Sequence, residues 1–155
     1  AMVGVGARAS GMQRDSRKDI GYGIYDELDF EVVTETAGDV EARIKVRIGE
    51  VAQSLSLVRQ LCSRLRRNAE TELAVELGEL KQEEGHFSWG ISESARGDNL
   101  HCLAIDENGR IDRLFVRSAS YPNWPALTVA VQGDIIPDFP LINKSFELCY
   151  ACIDR

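Results

Sequence analysis

The clearest pattern along the chain is one apolar stripe. Val40, Ile44, Ile48, Val51, Leu55, Val58, Cys62 and Leu65 recur at spacings of three and four, which aligns them on one face of an α-helix. Asp39 precedes them as an N-cap, and Glu41 and Lys45 sit four apart on the polar side in the favourable order. Arg64, Arg66 and Arg67 load the C-terminal end, where cations suit the helix dipole, and Asn68 is placed to end the helix. A helix from about Asp39 to Arg67 would run roughly 40 Å at about 1.5 Å per residue. That length in a small domain implies a helical bundle. The spacing predicts that Val51, Leu55 and Val58 are buried and that Cys62 is a core thiol.

Downstream the period changes to two. Phe87 to Ser92 reads as a strand, and Asn99 to Ile105 and Arg110 to Val116 alternate apolar with polar residues around Asp106-Glu107-Asn108-Gly109. Asn-Gly between alternating runs is a hairpin signal, so the middle of the chain predicts a small antiparallel sheet with Leu103 near Leu114. Thr71 to Glu84 reads as extended through the alternation of Leu73, Val75 and Leu77. His86 and His101 lie on or beside strands without a second ligand at a convincing spacing, so both read as structural. Cys102 is expected on the opposite sheet face from His101. Tyr121 to Leu127 reads as a turn entering a helix, with Pro125 in the first turn and Gly133 as the stop. The fold class is therefore α+β: a long amphipathic helix packed with a small antiparallel sheet and short C-terminal helices.

The first part of the chain is rich in glycine and charge. Ala7-Arg8-Ala9-Ser10-Gly11 reads as a tight loop, followed by the charged run Arg14 to Asp19 and by Gly21-Tyr22-Gly23, where glycine permits φ > 0 or close backbone approach. Asp26 to Val33 turns extended, with β-branched residues at its end. On composition alone these charges belong to solvated loops.

At 155 residues the chain is one domain or a piece of a larger one, and a net charge of −7 argues against a nucleic-acid partner. No run of about 18 apolar residues spans a membrane, and the first residues lack the features of a signal peptide. Four cysteines in a chain of this size do not make a secreted disulfide scaffold, which points to a reducing compartment.

Two of those cysteines carry the candidate chemistry. Glu147-Leu148-Cys149-Tyr150-Ala151-Cys152-Ile153-Asp154-Arg155 places two thiols with two residues between them, close enough to share one soft metal ion or to join each other. Such a pair alone fits half a zinc site, a redox pair or two ordinary cysteines. The ending Cys-x-x-Cys-x-Asp-Arg is more specific. It resembles the C-terminus of the large, nickel-bearing subunit of nickel–iron hydrogenases of the membrane-bound energy-converting group, where the pattern reads roughly Asp-Pro-Cys-x-x-Cys-Thr-Asp/Glu-Arg. Glu147 and Leu148 stand where Asp-Pro is usual. The Ala7–Gly11 run, the Asp15–Asp19 run and Tyr25 to Phe30 are similar to the same subunit and equally to its relative, the quinone-site subunit of NADH:quinone oxidoreductase. Glu93-Ser94-Ala95-Arg96-Gly97 resembles the family's Glu-Ala-Pro-Arg-Gly, with Ala95 in place of proline. Asn123 to Ala126 and Pro137 to Phe146 look like the C-terminal third of these subunits, and residues from about 3 to 155 follow the family in order.

The resemblance implies a role for each matching position. Cys149 would be a terminal nickel ligand and Cys152 would bridge nickel to an iron carrying carbon monoxide and cyanide. Arg96 would lie beside those diatomic ligands as a fixed donor and positive charge; without the resemblance it reads as an exposed arginine at a hairpin end. In the family a second cysteine pair comes from an N-terminal motif. This chain has no second Cys-x-x-Cys, and Cys62 and Cys102 are far apart in sequence. The chain is then expected to be the C-terminal part of a larger large subunit, as one domain over residues 1–155, inactive alone and purifying without nickel or iron. An end at Arg155 would match the processed end left by the family's maturation protease. The implied partners are an iron–sulfur small subunit, membrane subunits, the maturation protease and nickel-insertion proteins, on the cytoplasmic face of the inner membrane. Two alternatives stay open: a quinone-site protein of the NADH:quinone oxidoreductase branch, and a stand-alone zinc-binding or interaction domain.

Overall fold

A computed structural model describes residues 1–67 and 87–152. The expected extended segment at Thr71 to Glu84, His86 and the helix stop at Asn68 lie outside the described residues. Two short helices, α1 (Gly4–Ala9) and α2 (Ser16–Asp19), come first, then a 3-10 turn at Tyr25–Glu27 and the long helix α3 (Val40–Arg67). Strands β1 (Phe87–Ser94), β2 (Gly97–Ile105) and β3 (Ile111–Arg117) follow, and helices α4 (Trp124–Ala130) and α5 (Phe139–Phe146) close the described chain. The architecture is α+β, with one antiparallel sheet in the order β1-β2-β3.

Helix α3 starts where the capping residue sets it: Asp39 Oδ1 accepts from Ala42 N at 2.7 Å. Glu41 and Lys45 pair at 2.7 Å on its surface. Its buried face is not the stripe of large apolar residues. Ala42, Val46 and Leu57 are buried, whereas Val51, Leu55 and Val58 are 61%, 55% and 54% exposed, and Cys62 is exposed as well. The inward face is a line of small residues that lets backbone come close. Ala42 and Val46 pack with Val5 and Ala9 of α1. A Cβ at Gly49 would stand 2.6 Å from a methyl of Val33. Leu57 then joins Leu28 and Phe30. Periodicity found the helix, but its larger apolar face has no partner among the described residues.

The run Ala7–Gly11 is not a tight loop. Ala7 to Ala9 finish α1, all of whose residues are buried, and only Ser10-Gly11 turn, with Gly11 at φ 87°. Small side chains make this burial possible, because a helix of glycine and alanine can lie directly on α3. Asp26 to Val33 begins in the 3-10 turn and becomes extended from Leu28.

The sheet follows its sequence pattern. Leu103 pairs with Leu114, and the hairpin turns at Asp106–Gly109, where Asp106 N donates to Arg110 O at 2.8 Å and Gly109 takes φ 74°. Asp106 Oδ1 accepts from the amides of Asn108 and Arg110, at 2.9 and 2.8 Å. His101 is exposed and Cys102 buried, on opposite faces as the alternation requires. Leu127, Ile142, Phe146 and Leu148 form the cluster that fixes α4 and α5, and Gly133 lies in the turn after α4 at φ 89°.

Candidate functional site

The β1–β2 turn carries Arg96 and is held from three sides. Ser94 Oγ donates to Gly97 O at 2.8 Å and accepts from Arg96 N at 3.3 Å. Asn123 Nδ2 donates to Arg96 O at 3.4 Å and to Val3 O at 3.0 Å, while Val3 N donates back to Asn123 Oδ1 at 2.8 Å. Gly4, at φ 62°, lies so close that a Cβ there would stand 2.1 Å from Arg96 O. Residues from three distant parts of the sequence therefore set the direction of this arginine.

Arg96 Nε donates to the carbonyl of Glu147. Glu147 ends α5 in the left-handed region, at φ 53° and ψ 35°, a conformation that non-glycine residues seldom hold. Arg47 of α3 stands 3.6 Å from its carboxylate. Two residues on, Cys149 N donates to the buried Ser120 Oγ at 3.0 Å, and the Tyr150 ring packs on Trp124 with centroids 4.9 Å apart. Cys149 and Cys152 are both half-buried in the turn that follows α5. The structure thus brings Arg96 and the Cys149 turn together across about 50 residues of sequence.

Among the described residues no group of three or more His, Cys, Asp or Glu is arranged to hold a metal ion. Cys62 lies exposed on α3 and Cys102 is buried in β2. The donor set at this turn is two sulfurs, which fits half of a four-thiolate site for a soft metal.

Beside this turn lies an ionic cluster that sequence reasoning did not assemble. Arg8 is 1% exposed and meets three carboxylates: Glu50 at 2.6 Å, Glu93 at 2.9 Å and Asp15 at 3.7 Å. Its Nη1 also donates to Arg14 O at 2.9 Å. Asp15 caps α2 through Arg17 N and binds the Arg17 guanidinium in fork geometry, at 2.9 and 2.6 Å. Glu93 Oε2 accepts from Ser16 N at 3.1 Å, and Glu93 N donates to the Tyr22 hydroxyl at 2.7 Å. Burial opposes the charge on Arg8, but its three carboxylates outweigh it and hold the guanidinium above its ordinary value. Burial likewise opposes charge on Asp15, yet Arg17 and Arg8 bring its carboxyl below the usual range. For Glu50 burial wins over Arg8 and pushes the carboxyl up. The motif around Arg8 was visible in the sequence. Its burial was not, because the carboxylates come from α2, α3 and β1.

The cluster forms the floor of a cleft of about 420 Å³. Val51, Leu55 and Val58 make one wall, and Tyr25, Arg47 and Glu147 complete the rim. The exposed stripe of α3 therefore lines a cleft whose base is charged.

Comparison with known proteins matches residues 1–84 and 75–155 to the family described as respiratory-chain NADH dehydrogenase, 49 Kd subunit. Formate hydrogenlyase subunit 5 of Escherichia coli strain K12 is 37% identical, over 99% of this chain and 26% of its own length. The carbon monoxide-induced hydrogenase of Rhodospirillum rubrum is 35% identical, over 99% of this chain and 41% of its own. An NADH-quinone oxidoreductase subunit of Salinispora tropica is 37% identical, over 96% and 38%. Among solved structures, a chain of the membrane-bound sulfane sulfur reductase, an archaeal respiratory membrane complex, superposes with a TM-score of 0.85 at 27% identity, covering 99% of this chain and 42% of that one. The chain spans from about a quarter to two fifths of the length of these relatives. No helix among the described residues is long and apolar enough to cross a membrane.

Proposed function

Because this chain belongs to the family of the 49 kDa subunit of respiratory-chain NADH dehydrogenase, a family of oxidoreductases, we propose that it is the C-terminal part of the catalytic large subunit of a membrane-associated nickel–iron hydrogenase. The observation that carries this reading is the bond from Arg96 to the Glu147 carbonyl, which ties the hairpin arginine to the turn bearing Cys149 and Cys152. The family's other branch does not need that thiol pair.

In this reading Cys149 and Cys152, as thiolates, hold one side of a nickel–iron centre, and two cysteines from elsewhere in the full-length protein hold the other. The bound centre with its carbon monoxide and cyanide ligands supplies the splitting and formation of hydrogen. The residues of this chain fix where that happens. Arg96 and Arg47 hold Glu147, and Ser120 holds the Cys149 amide, so the two cysteines sit on a braced turn. With the centre bound, the sulfur of either thiolate would be the proton acceptor this chain supplies there. Glu50, whose carboxyl burial pushes up, keeps a proton to a higher pH than an exposed glutamate. The partners in this reading are an iron–sulfur small subunit, which would take the electrons, and membrane subunits on the cytoplasmic face.

The test is elemental analysis of the full-length protein co-expressed with its maturation and nickel-insertion proteins. Nickel in the wild type, and none in Cys149→Ser or Cys152→Ser, is the expected result, because a hydroxyl is a harder ligand that stays protonated near neutral pH. Nickel kept at wild-type level in both variants overturns the role of the pair. A second reading has its own observation. The cleft of about 420 Å³ pairs an apolar wall with a charged floor, which suits a quinone headgroup and tail in a protein of the NADH:quinone oxidoreductase branch. A wild-type protein without nickel favours that reading.

A further inference from the structure

Among the described residues two arginines are almost completely buried, and carboxylates meet one of them. Arg8 has its three carboxylates. Arg43, 3% exposed, has a different set of contacts. Its Nε donates to Ser145 Oγ at 2.8 Å, its Nη1 donates to Gly38 O at 2.7 Å, and its guanidinium lies 4.0 Å over the Phe146 ring. These partners orient the group without cancelling its charge. Asp39 acts on it only at a distance, and burial pulls the guanidinium below its ordinary value. Among the described residues no carboxylate bonds to it.

An uncompensated buried cation is costly, and this one sits at a cavity. Arg43 lines a pocket of about 480 Å³ together with Met2, Pro122, Ala126, Ala130 and Phe146. Among the described residues no Asp or Glu lines it. The walls are mostly apolar, with Ser10 and the exposed Ala1 also at the pocket, and among the described residues its one buried charge is positive, which is the composition of a site for an apolar body with one fixed anionic point. Phe146 and Ser145 already fix the plane of the guanidinium, so little rotamer freedom is left to lose when an oxygen acceptor arrives.

We propose that this pocket is a carboxylate site: it takes one carboxylate on a short apolar stem, seated against Arg43. The carboxylate comes from a free small acid or from a Glu or Asp side chain of another polypeptide segment; both present the same group. The site shares no lining residue with the cysteine turn and stands whether or not that turn holds a metal.

The experiment is titration of the 155-residue chain by ¹H–¹⁵N NMR, read at the Arg43 Nε–Hε resonance in the wild type and, in every variant, at the backbone amides of Ala126, Ala130 and Phe146 that line the pocket. The probes are hexanoate, the blocked dipeptide acetyl-Leu-Glu-amide, and hexanol. A saturable shift with hexanoate or with the dipeptide, absent with hexanol, is expected, and the tighter of the two identifies the source. Arg43→Lys should weaken the response about ten-fold, because a point charge replaces a planar fork, and Arg43→Gln should abolish it. Should Arg43→Gln fail to fold, Ala126→Leu tests the same site by narrowing the pocket while leaving the arginine in place, and it should also remove saturation. Equal responses to hexanol and hexanoate, no saturable response to either acid, or full binding by Ala126→Leu would each overturn the proposal.

Discussion

The ionic cluster around Arg8 lies at the floor of one cleft and Glu147, which leads into the turn bearing Cys149, lies at its rim, and the two regions are built in opposite ways. At Arg8 the contacts are between charged side chains, nearly dry, drawn from α1, α2, α3 and β1. At Cys149 the contacts run mostly to backbone: Arg96 to a carbonyl, Ser120 to an amide. The one ion pair described there joins Arg47, 24% exposed, to Glu147, 54% exposed, at 3.6 Å. The first region balances its charges within the chain. The second is a braced turn that carries Cys149 and Cys152. Charge neutralisation inside a fold makes a permanent joint, whereas backbone bracing makes a prepared end.

Substitution should separate the two most strongly at their arginines. Arg8→Leu leaves Glu50 and Glu93 buried without their cation, Asp15 keeping Arg17, and should cost about 3–5 kcal/mol. Arg47→Ala removes a half-exposed pair and should cost less than about 1 kcal/mol. Urea unfolding of both variants measures this; equal losses would erase the distinction.

The two faces of α3 give the next contrast. Leu57→Ala, in the cluster with Leu28 and Phe30, should cost about 2–5 kcal/mol. Leu55→Ala, on the cleft wall, should cost under about 1 kcal/mol in this chain, since an exposed leucine has little burial to lose. A larger loss at Leu55 would mean that copies of the chain cover the stripe in solution, which sedimentation at several concentrations would reveal.

Two carboxyls of the Arg8 cluster should move stability in opposite directions with pH. Asp15 titrates below its ordinary 3.8 when folded, so its contribution is present above that value and is lost as pH falls through the depressed one. Glu50 titrates above its ordinary 4.5, so its contribution runs the other way, present at and below 4.5 and lost as pH rises through the raised value. Asp15→Asn should therefore flatten the acid limb of the stability profile, and Glu50→Gln should remove the decline on its upper side. Thermal unfolding across the acid range up to neutrality follows both.

The smallest effect belongs to the hairpin. Gly109 holds φ 74°, and Gly109→Ala should cost about 1 kcal/mol from a strained left-handed backbone. Asn at the same position, which tolerates this region better, should recover part of the loss. Chemical unfolding of the two variants side by side reads the difference.

The sheet was legible in the sequence because its pairing is local: an Asn-Gly turn and a two-residue period suffice to set Leu103 beside Leu114. The start of α3 was legible for the same reason, through Asp39, and its length through the period that runs on to the terminal arginines. Which face it buries was not. Hydrophobicity marks surface that wants cover, while Ala42, Val46 and Gly49 mark surface that another backbone can approach, and only the second kind of match lies among the described residues. The solvated-loop reading of Arg8 and Asp15 failed likewise, because a lone charged residue carries no sign of partners 42 and 85 positions away. At the cysteine turn residue types were enough to single out Cys149 and Cys152 as candidates, but the Arg96–Glu147 link needed the fold.

The meeting of Gly4 with the β1–β2 turn has a consequence in time. A Cβ at Gly97 would stand 2.7 Å from Gly4 N, and one at Gly4 still closer to Arg96 O, so the two segments fit only when both are in their final shape. More than 90 residues separate them in sequence. During synthesis α1 can lie on α3 once that helix is made, but Gly4 must wait for the hairpin to leave the ribosome before the β1–β2 turn closes over it, and loop closure over that distance falls late in folding. One end of a segment made early is among the last pieces to find its place.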